Sequence, residues 1–213
     1  MTVLFEDKHL LVVEKPAGIL SEPDGSGNDI ITLCSSHTNA ECFLVHRLDR
    51  GTGGVMVIAK TKLAAGKLSA LVSERAFSKE YLAVIKGKPE EDKGVYKDLL
   101  FKDSRKNKSF VVTRKRQGVK EASLEYRTLC TKDDASLVLV KLHTGRTHQI
   151  RVQFASRKTP LLGDGKYGSR NNKCETALWS CRLSFKHPIT GENVCCTSLP
   201  PREYPWDKFE VEM

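Results

Sequence analysis

No run in these 213 residues approaches the roughly 18 consecutive apolar positions of a membrane-spanning helix, so the sequence points away from a membrane partner. The opening Met1-Thr2-Val3-Leu4-Phe5-Glu6-Asp7 lacks a basic segment followed by an apolar one, so no signal peptide is expected and the reading is cytoplasmic. There is no C-x-x-C among the seven cysteines, and Cys195-Cys196 are direct neighbours. Zinc-ligand and redox-pair spacings are therefore missing, which leaves reduced cysteines packed as small hydrophobes. A phosphate loop of the G-x-x-x-x-G-K-[ST] type is also absent; the glycine-punctuated Pro160 to Gly168 does not match it and reads as a loop shaping the wall of a cleft. Neither a fixed repeat nor a Pro/Gly/Ser-rich linker divides the chain, so residues 1–213 read as one domain.

What is abundant is positive charge. The formal net charge of +9 favours a polyanionic partner, and its distribution sharpens the point. Between Phe101 and Lys120 stand Lys102, Arg105, Lys106, Lys108, Arg114, Lys115, Arg116 and Lys120 against a single acid, Asp103. This segment fits a solvated basic hairpin or a phosphate-contacting surface, and pattern alone does not separate them.

Hydrophobic periodicity outlines an α+β chain with a mostly antiparallel sheet and few helices. Strands are expected at Val3–Glu6, Leu10–Glu14, Val55–Ala59, Ser78–Ile85, Ser109–Val112, Ala122–Cys130, Ser136–Leu142, Leu178–Lys186 and Val194–Ser198. Helices are expected at Ile30–Ser36 with Asp29 as cap, at Lys62–Ser73 with Thr61 as cap, and at Thr147–Ser156. In the second of these Leu63, Leu68, Leu71 and Val72 are placed on one face.

Three stretches carry residue types suited to chemistry. Val45-His46-Arg47-Leu48-Asp49-Arg50-Gly51-Thr52-Gly53-Gly54 sets one carboxylate among cations and runs through a glycine-rich turn into a buried strand. That is a poor way to build stability and a good way to hold a reactive side chain still. Leu142 to Val152 ends a strand, turns at Gly145 and enters a helix, leaving Arg146 at a junction that suits either a cleft or a surface ion pair. Lys79-Glu80-Tyr81 places a tyrosine in a strand, where core packing with the hydroxyl at the rim is the common outcome.

Taken in order, these segments resemble the RluA family of RNA pseudouridine synthases. The resemblance rests on His46-Arg47-Leu48-Asp49 with Thr52 and Gly54, on Lys79 and Tyr81, and on Gly145-Arg146-Thr147-His148-Gln149-Ile150-Arg151. Gly163-Asp164 with Tyr167-Gly168 and the opening Leu10 to Gly18 extend it to about Leu10–Ser198. It departs at Gly53, where members commonly carry serine, and in starting at the catalytic core without the small S4-type RNA-binding domain that many members possess. The resemblance implies a single catalytic domain with a bent, mostly antiparallel sheet flanked by helices and loops.

It further implies Asp49 as catalytic carboxylate, paired with Arg146, and Tyr81 stacking on the uracil or shuttling a proton. Arg47 would fill the space left by a flipped uridine, and His46 would meet RNA or support the backbone. Arg50, Lys79, His148, Arg151, Lys106, Lys108, Arg114 and Arg116 complete the implied RNA contacts. In the reaction the N1–C1′ bond breaks, the base turns, and C5 bonds to C1′. The carboxylate acts as nucleophile at sugar or base, or removes a sugar proton. The isomerisation is redox-neutral and implies no cofactor or metal. The partner is RNA, ribosomal or transfer, and a monomer suffices.

Two other readings use the same features. A catalytically silent RNA-binding module explains the basic segment but not Asp49. An N-glycosidic hydrolase needs a second carboxylate, for which Glu14, Asp164 and Glu175 are available but lack a context that pairs them with Asp49.

Overall fold

The computed structural model describes residues 1–168 and 173–211. Its strands are β1 (Thr2–Glu6), β2 (Leu10–Lys15), β3 (Phe43–Leu44), β4 (Gly53–Ala59), β5 (Ser78–Lys86), β6 (Lys93–Asp103), β7 (Lys108–Val112), β8 (Val119–Lys132), β9 (Ala135–Leu142), β10 (Leu178–Lys186) and β11 (Asn193–Thr197). The helices are α1 (Ile30–Thr38), α2 (Lys62–Ser73) and α3 (Gln149–Ser156), with a short 3-10 turn at Trp206–Lys208. By contact the chain divides into two compact units, Met1–Lys79 with Trp179–Pro200, and Glu80–Leu178 with Pro201–Met213. The α+β class with predominantly antiparallel pairing, expected from sequence, is what both show.

In the first unit the strand order is β1-β2-β4-β10, with β3 also on β4 and β11 on β10. Strand β4 pairs antiparallel with β2, from Leu10↔Ala59 to Lys15↔Gly54, and parallel with β10 at Trp179↔Gly53 and Ser180↔Gly54. Being flanked on both sides, all seven residues of β4 are buried, which is why the segment reads as an uninterrupted apolar run rather than an alternation. Leu10, Val12, Val55, Val57, Leu68, Phe77, Leu183 and Phe185 make the core. The expected apolar face of α2 needs one correction. Ala64 and Leu68 are the buried residues, while Leu63 is 61% exposed. Five residues separate Leu63 from Leu68, about 140° around a 3.6-residue helix, whereas Ala64, Leu68 and Leu71 follow the i, i+4, i+7 stripe. The caps are as expected: Asp29 accepts from the Thr32 amide at 2.8 Å and Thr61 Oγ1 from the Ala64 amide at 3.2 Å.

In the second unit the order is β5-β9-β8-β6-β7. Strands β8 and β9 form the expected hairpin, turning through Asp133 at φ 53°. Tyr96, Tyr126 and Phe154 pack ring to ring, with centroids 4.5–5.6 Å apart, seating α3 on the sheet. Strand β6 went unrecognised in the sequence. Helix α3 begins two residues later than expected, because the turn into it is made by His148 in the left-handed region (φ 54°), not by Gly145.

Candidate active site

Asp49 lies half-buried on the loop that leads into β4, and that loop is pinned on both sides of the carboxylate. Upstream, Ser21 Oγ donates to the Leu48 carbonyl at 2.7 Å and accepts from the Leu48 amide at 3.1 Å. Downstream, the Gly18 amide donates to the Arg50 carbonyl at 2.9 Å, and Arg50 Nε returns a bond to the Gly18 carbonyl at 2.9 Å. The Thr52 amide closes a turn on the Asp49 carbonyl at 3.0 Å. Below the loop, Lys15 is wholly buried, and its ammonium donates to the carbonyls of Pro16 (2.9 Å), Ile19 (2.8 Å) and Arg50 (3.3 Å). A buried ammonium is tolerated only when its protons are satisfied, so this lysine holds the Gly18 turn and the Asp49 loop to the end of β2.

His46 supports backbone. Its Nε2 accepts from the Val57 amide at 3.1 Å, so that nitrogen carries a lone pair and the ring is neutral. Burial, with the Lys79 ammonium nearby, holds its pKa well below 6.5. Lys79 sits 5.4 Å from the Phe77 ring centroid, and burial brings its pKa down to about 8. Phe77 lies edge-on to His46 and stacks on Phe185 at 4.8 Å. Arg47 is exposed and pairs with both Glu22 oxygens at 3.1 Å. The first unit thus gathers His46, Arg47, Asp49, Arg50 and Lys79 on and beside one loop.

In the second unit Gln149 organises the loop before α3. Its Oε1 accepts from Thr144 Oγ1 (2.7 Å) and from the Arg146 amide (3.0 Å), while its Nε2 donates to the Ser123 carbonyl at 3.1 Å. Arg146 Nε donates to the Glu121 carbonyl at 3.0 Å. Among the described residues its two terminal nitrogens make no hydrogen bond, so the fork is fixed by its stem and open at its tip. A planar guanidinium so held suits bidentate pairing with a carboxylate or phosphate. Tyr81 is buried in β5, 7% exposed.

Arg151 is 9% exposed, and its Nε and Nη2 grip Asp164 at 2.7 and 2.9 Å. Asp164, fully buried, also accepts from the Tyr167 amide at 3.2 Å. Tyr167 Oη accepts from the Ser109 amide at 2.7 Å and lies 3.0 Å from His148 Nδ1, with Lys108 Nζ 4.9 Å from its ring centroid. Burial raises its pKa. The Gly163–Gly168 loop therefore joins α3 to β7. Gly163 lets the start of this loop pass close to the Cys174–Glu175 backbone, since at φ 72° a Cβ would stand 2.2 Å from the Glu175 carbonyl oxygen. The hydrolase candidates Asp164 and Glu14 are likewise committed, the latter to Ser198 Oγ at 2.5 Å.

Lys106, Arg114 and Arg116 are exposed around β7, and Lys108 is half-buried on it. Sequence reasoning missed Lys15, Ser21 and Gln149 as site builders. A lysine closing an apolar strand was the available signal for Lys15; a serine in a polar loop gives none. Among the described residues no group of three His, Cys, Asp or Glu side chains could hold a metal ion, and no helix is long and apolar enough to cross a membrane.

The first unit thus presents a carboxylate on a pinned loop, and the second a guanidinium with open terminal nitrogens and a basic hairpin. The comparisons name the class. The family model for RNA pseudouridylate synthase matches residues 9–156. The chain is 33% identical, over 225 aligned positions, to the ribosomal large subunit pseudouridine synthase D of Zymomonas mobilis, covering 95% of this chain and 70% of that one. It is 36% identical over 215 positions to the uncharacterized RNA pseudouridine synthase YhcT of Bacillus subtilis, with coverage of 95% and 70%. The solved structure of human RNA pseudouridylate synthase domain containing 4 superposes with a TM-score of 0.78 at 25% identity, covering 94% of this chain and 89% of that one. This chain belongs to the RluA family of RNA pseudouridine synthases and is an RNA pseudouridine synthase.

Proposed function

We propose that the protein isomerises particular uridines of structured ribosomal or transfer RNA in the cytoplasm, acting as a monomer. In this reading the two units serve as one catalytic domain. Asp49 is the catalytic carboxylate, and Arg146 and Tyr81 act on the same nucleotide. The target uridine leaves its helix to reach them, with Arg47 taking its place and His148, Arg50, Lys79 and the basic hairpin meeting the surrounding RNA. Every route to the product draws on an ionised Asp49, whether it attacks the sugar, attacks the base or removes a sugar proton.

The observation that carries this reading is the double pinning of the Asp49 loop. Ser21 on one side, and Lys15 with Gly18 on the other, hold a single carboxylate in place at the head of a fully buried strand. A loop with no reacting group to aim needs no such scaffold. Support for Arg146 comes from its open terminal nitrogens, and for Tyr81 from its match to the family's tyrosine.

Asp49→Asn keeps the size and loses the charge, and should abolish pseudouridine formation while leaving the unfolding midpoint near that of the parent. Retained turnover in the folded variant would overturn the assignment. Arg146→Ala should lower kcat far more than RNA affinity; equal losses would make it a phosphate clamp. Mapping pseudouridine in cellular RNA with and without the protein decides between ribosomal and transfer RNA.

A further inference from the structure

The registers of β6, β7 and β8 sort their side chains into two faces. Leu100, Val111 and Ala122 point to one side and pack with Val152 of α3. Ser109 points the same way, its Oγ donating to the Thr147 carbonyl at 2.7 Å. The intervening residues take the opposite face. There Phe101 lies opposite Phe110 on one neighbour and Val119 on the other, with Leu99 opposite Val112 in the next row. Phe110 is 37% exposed, and Phe101 is only half-buried.

Cations frame these rings. The Arg116 guanidinium carbon stands 4.7 Å from the Phe101 centroid, and Lys108 Nζ stands 5.8 Å from that of Phe110. An exposed phenylalanine in a segment of eight cations and one acid gains little from burial, so the pairing of ring faces with positive charge calls for a ligand that has both features. RNA has both, but only where its bases are unpaired: a duplex offers phosphates and hides its π faces.

We propose that the outer face of β6, β7 and β8 is a stacking platform for one or two unpaired bases of the substrate RNA, with Phe110 as the principal ring and Phe101–Arg116 as its neighbour. The proposal rests on RNA being the substrate. It adds that this face selects single-stranded or looped RNA over duplex by stacking, on top of the phosphate attraction that any basic hairpin supplies.

The test measures binding of the full chain to two RNAs of equal length, a stem-loop and a fully paired duplex, across a range of salt. Phe110→Ala should weaken stem-loop binding by roughly 5- to 150-fold, the worth of one stacked base, with the salt dependence unchanged and duplex affinity retained. Phe110→Trp should bind at least as tightly as the parent. Lys108→Ala should instead flatten the dependence of log K on log salt by about one phosphate contact.

Equal stem-loop affinity for parent and Phe110→Ala overturns the platform, as does an equal loss on both RNAs. If an acidic protein binds in place of RNA and depends on Phe110, the platform reading also fails. Failure is separable from that of the substrate reading: pseudouridine formation with unaltered Phe110→Ala binding removes only the platform, whereas a parent chain that binds neither RNA removes both.

Discussion

Gly53→Ser, which introduces the serine that the family resemblance implies at this place, is the substitution whose cost is most directly set by the structure. The backbone of Gly53 does not demand glycine, since its φ lies outside the left-handed region. Space is what forbids a side chain. A Cβ there would lie 2.2 Å from Trp179 Cζ3 and 2.7 Å from Cε3, where carbon atoms pack at about 3.5–4.0 Å. The ring would have to retreat by more than about 1 Å. Trp179 is only 5% exposed, and its Nε1 donates to the Ser198 carbonyl and hydroxyl, each at 3.2 Å. Overpacking of this kind costs about 1–3 kcal/mol, and loss of the indole bond about 0.5–1.5 kcal/mol more. The expected loss is therefore about 2–4 kcal/mol, or about 1–2 M in urea midpoint for a slope near 2 kcal/mol/M. Trp179→Leu in the same chain should restore part of it, giving a coupling of at least about 1 kcal/mol in the double-mutant cycle. Because β4 starts just beyond the Asp49 loop, turnover should fall with Gly53→Ser and recover with the pair. An unchanged urea midpoint, or strictly additive single and double variants, would refute the steric argument.

His46 is held neutral in the folded state while its unfolded pKa is near 6.5, so the unfolded chain binds the extra proton first. Stability should fall as pH drops below about 6.5, by up to about 1.4 kcal/mol per pH unit, and His46→Gln should remove that component of a urea titration series. Breaking the buried Arg151–Asp164 pair with Arg151→Met should cost about 3–5 kcal/mol in thermal or urea unfolding, and lysine should not restore the bidentate grip. Lys79 loses its proton through about pH 8, so any share it has in RNA affinity should vanish as pH rises past that value and persist in Lys79→Arg. Lys15→Met strips three carbonyls of one shared, buried donor and should destabilise the fold by at least about 2 kcal/mol, while lowering kcat more than RNA affinity.

Much of the fold was legible because most segments carry their own punctuation. Asp29 and Thr61 announce α1 and α2 through side-chain caps, and Lys86-Gly87-Lys88-Pro89 stops β5. Strand β6 announces nothing of the kind. Its apolar residues fall on both faces, Tyr96 and Leu100 inward and Leu99 and Phe101 outward, with lysines among them, so neither a period of two nor a continuous run emerges. Its pairing with β8 depends on partners 22 to 30 residues away in sequence, at Leu99↔Glu121 and Val95↔Glu125. Tertiary contact decides such a strand. The start of α3 was misplaced for a related reason. His148 takes a left-handed conformation that few non-glycine residues adopt, and its ring lies against Tyr167, nineteen positions away.

The candidate site divides along the same line. Asp49, Arg146 and Tyr81 could be picked out because reactive residue types stand in ordered motifs, but what aims two of them is carried by residues with no chemical signature. Ser21 reaches Leu48 from a loop, and Gln149 reaches back across the turn to Thr144 and the Arg146 amide and over to Ser123. Arg151 shows how a partner distant in sequence goes unseen. Its charge and its place in a motif suggested an RNA contact, and two of its guanidinium nitrogens bond a buried carboxylate thirteen residues on. Charge in sequence tells what a side chain offers; only the location of its partner tells whether the offer reaches solvent. The buried Arg151–Asp164 pair ties the Tyr167 loop to the helix that follows Arg146, and so braces that arginine's turn from a position the sequence does not advertise.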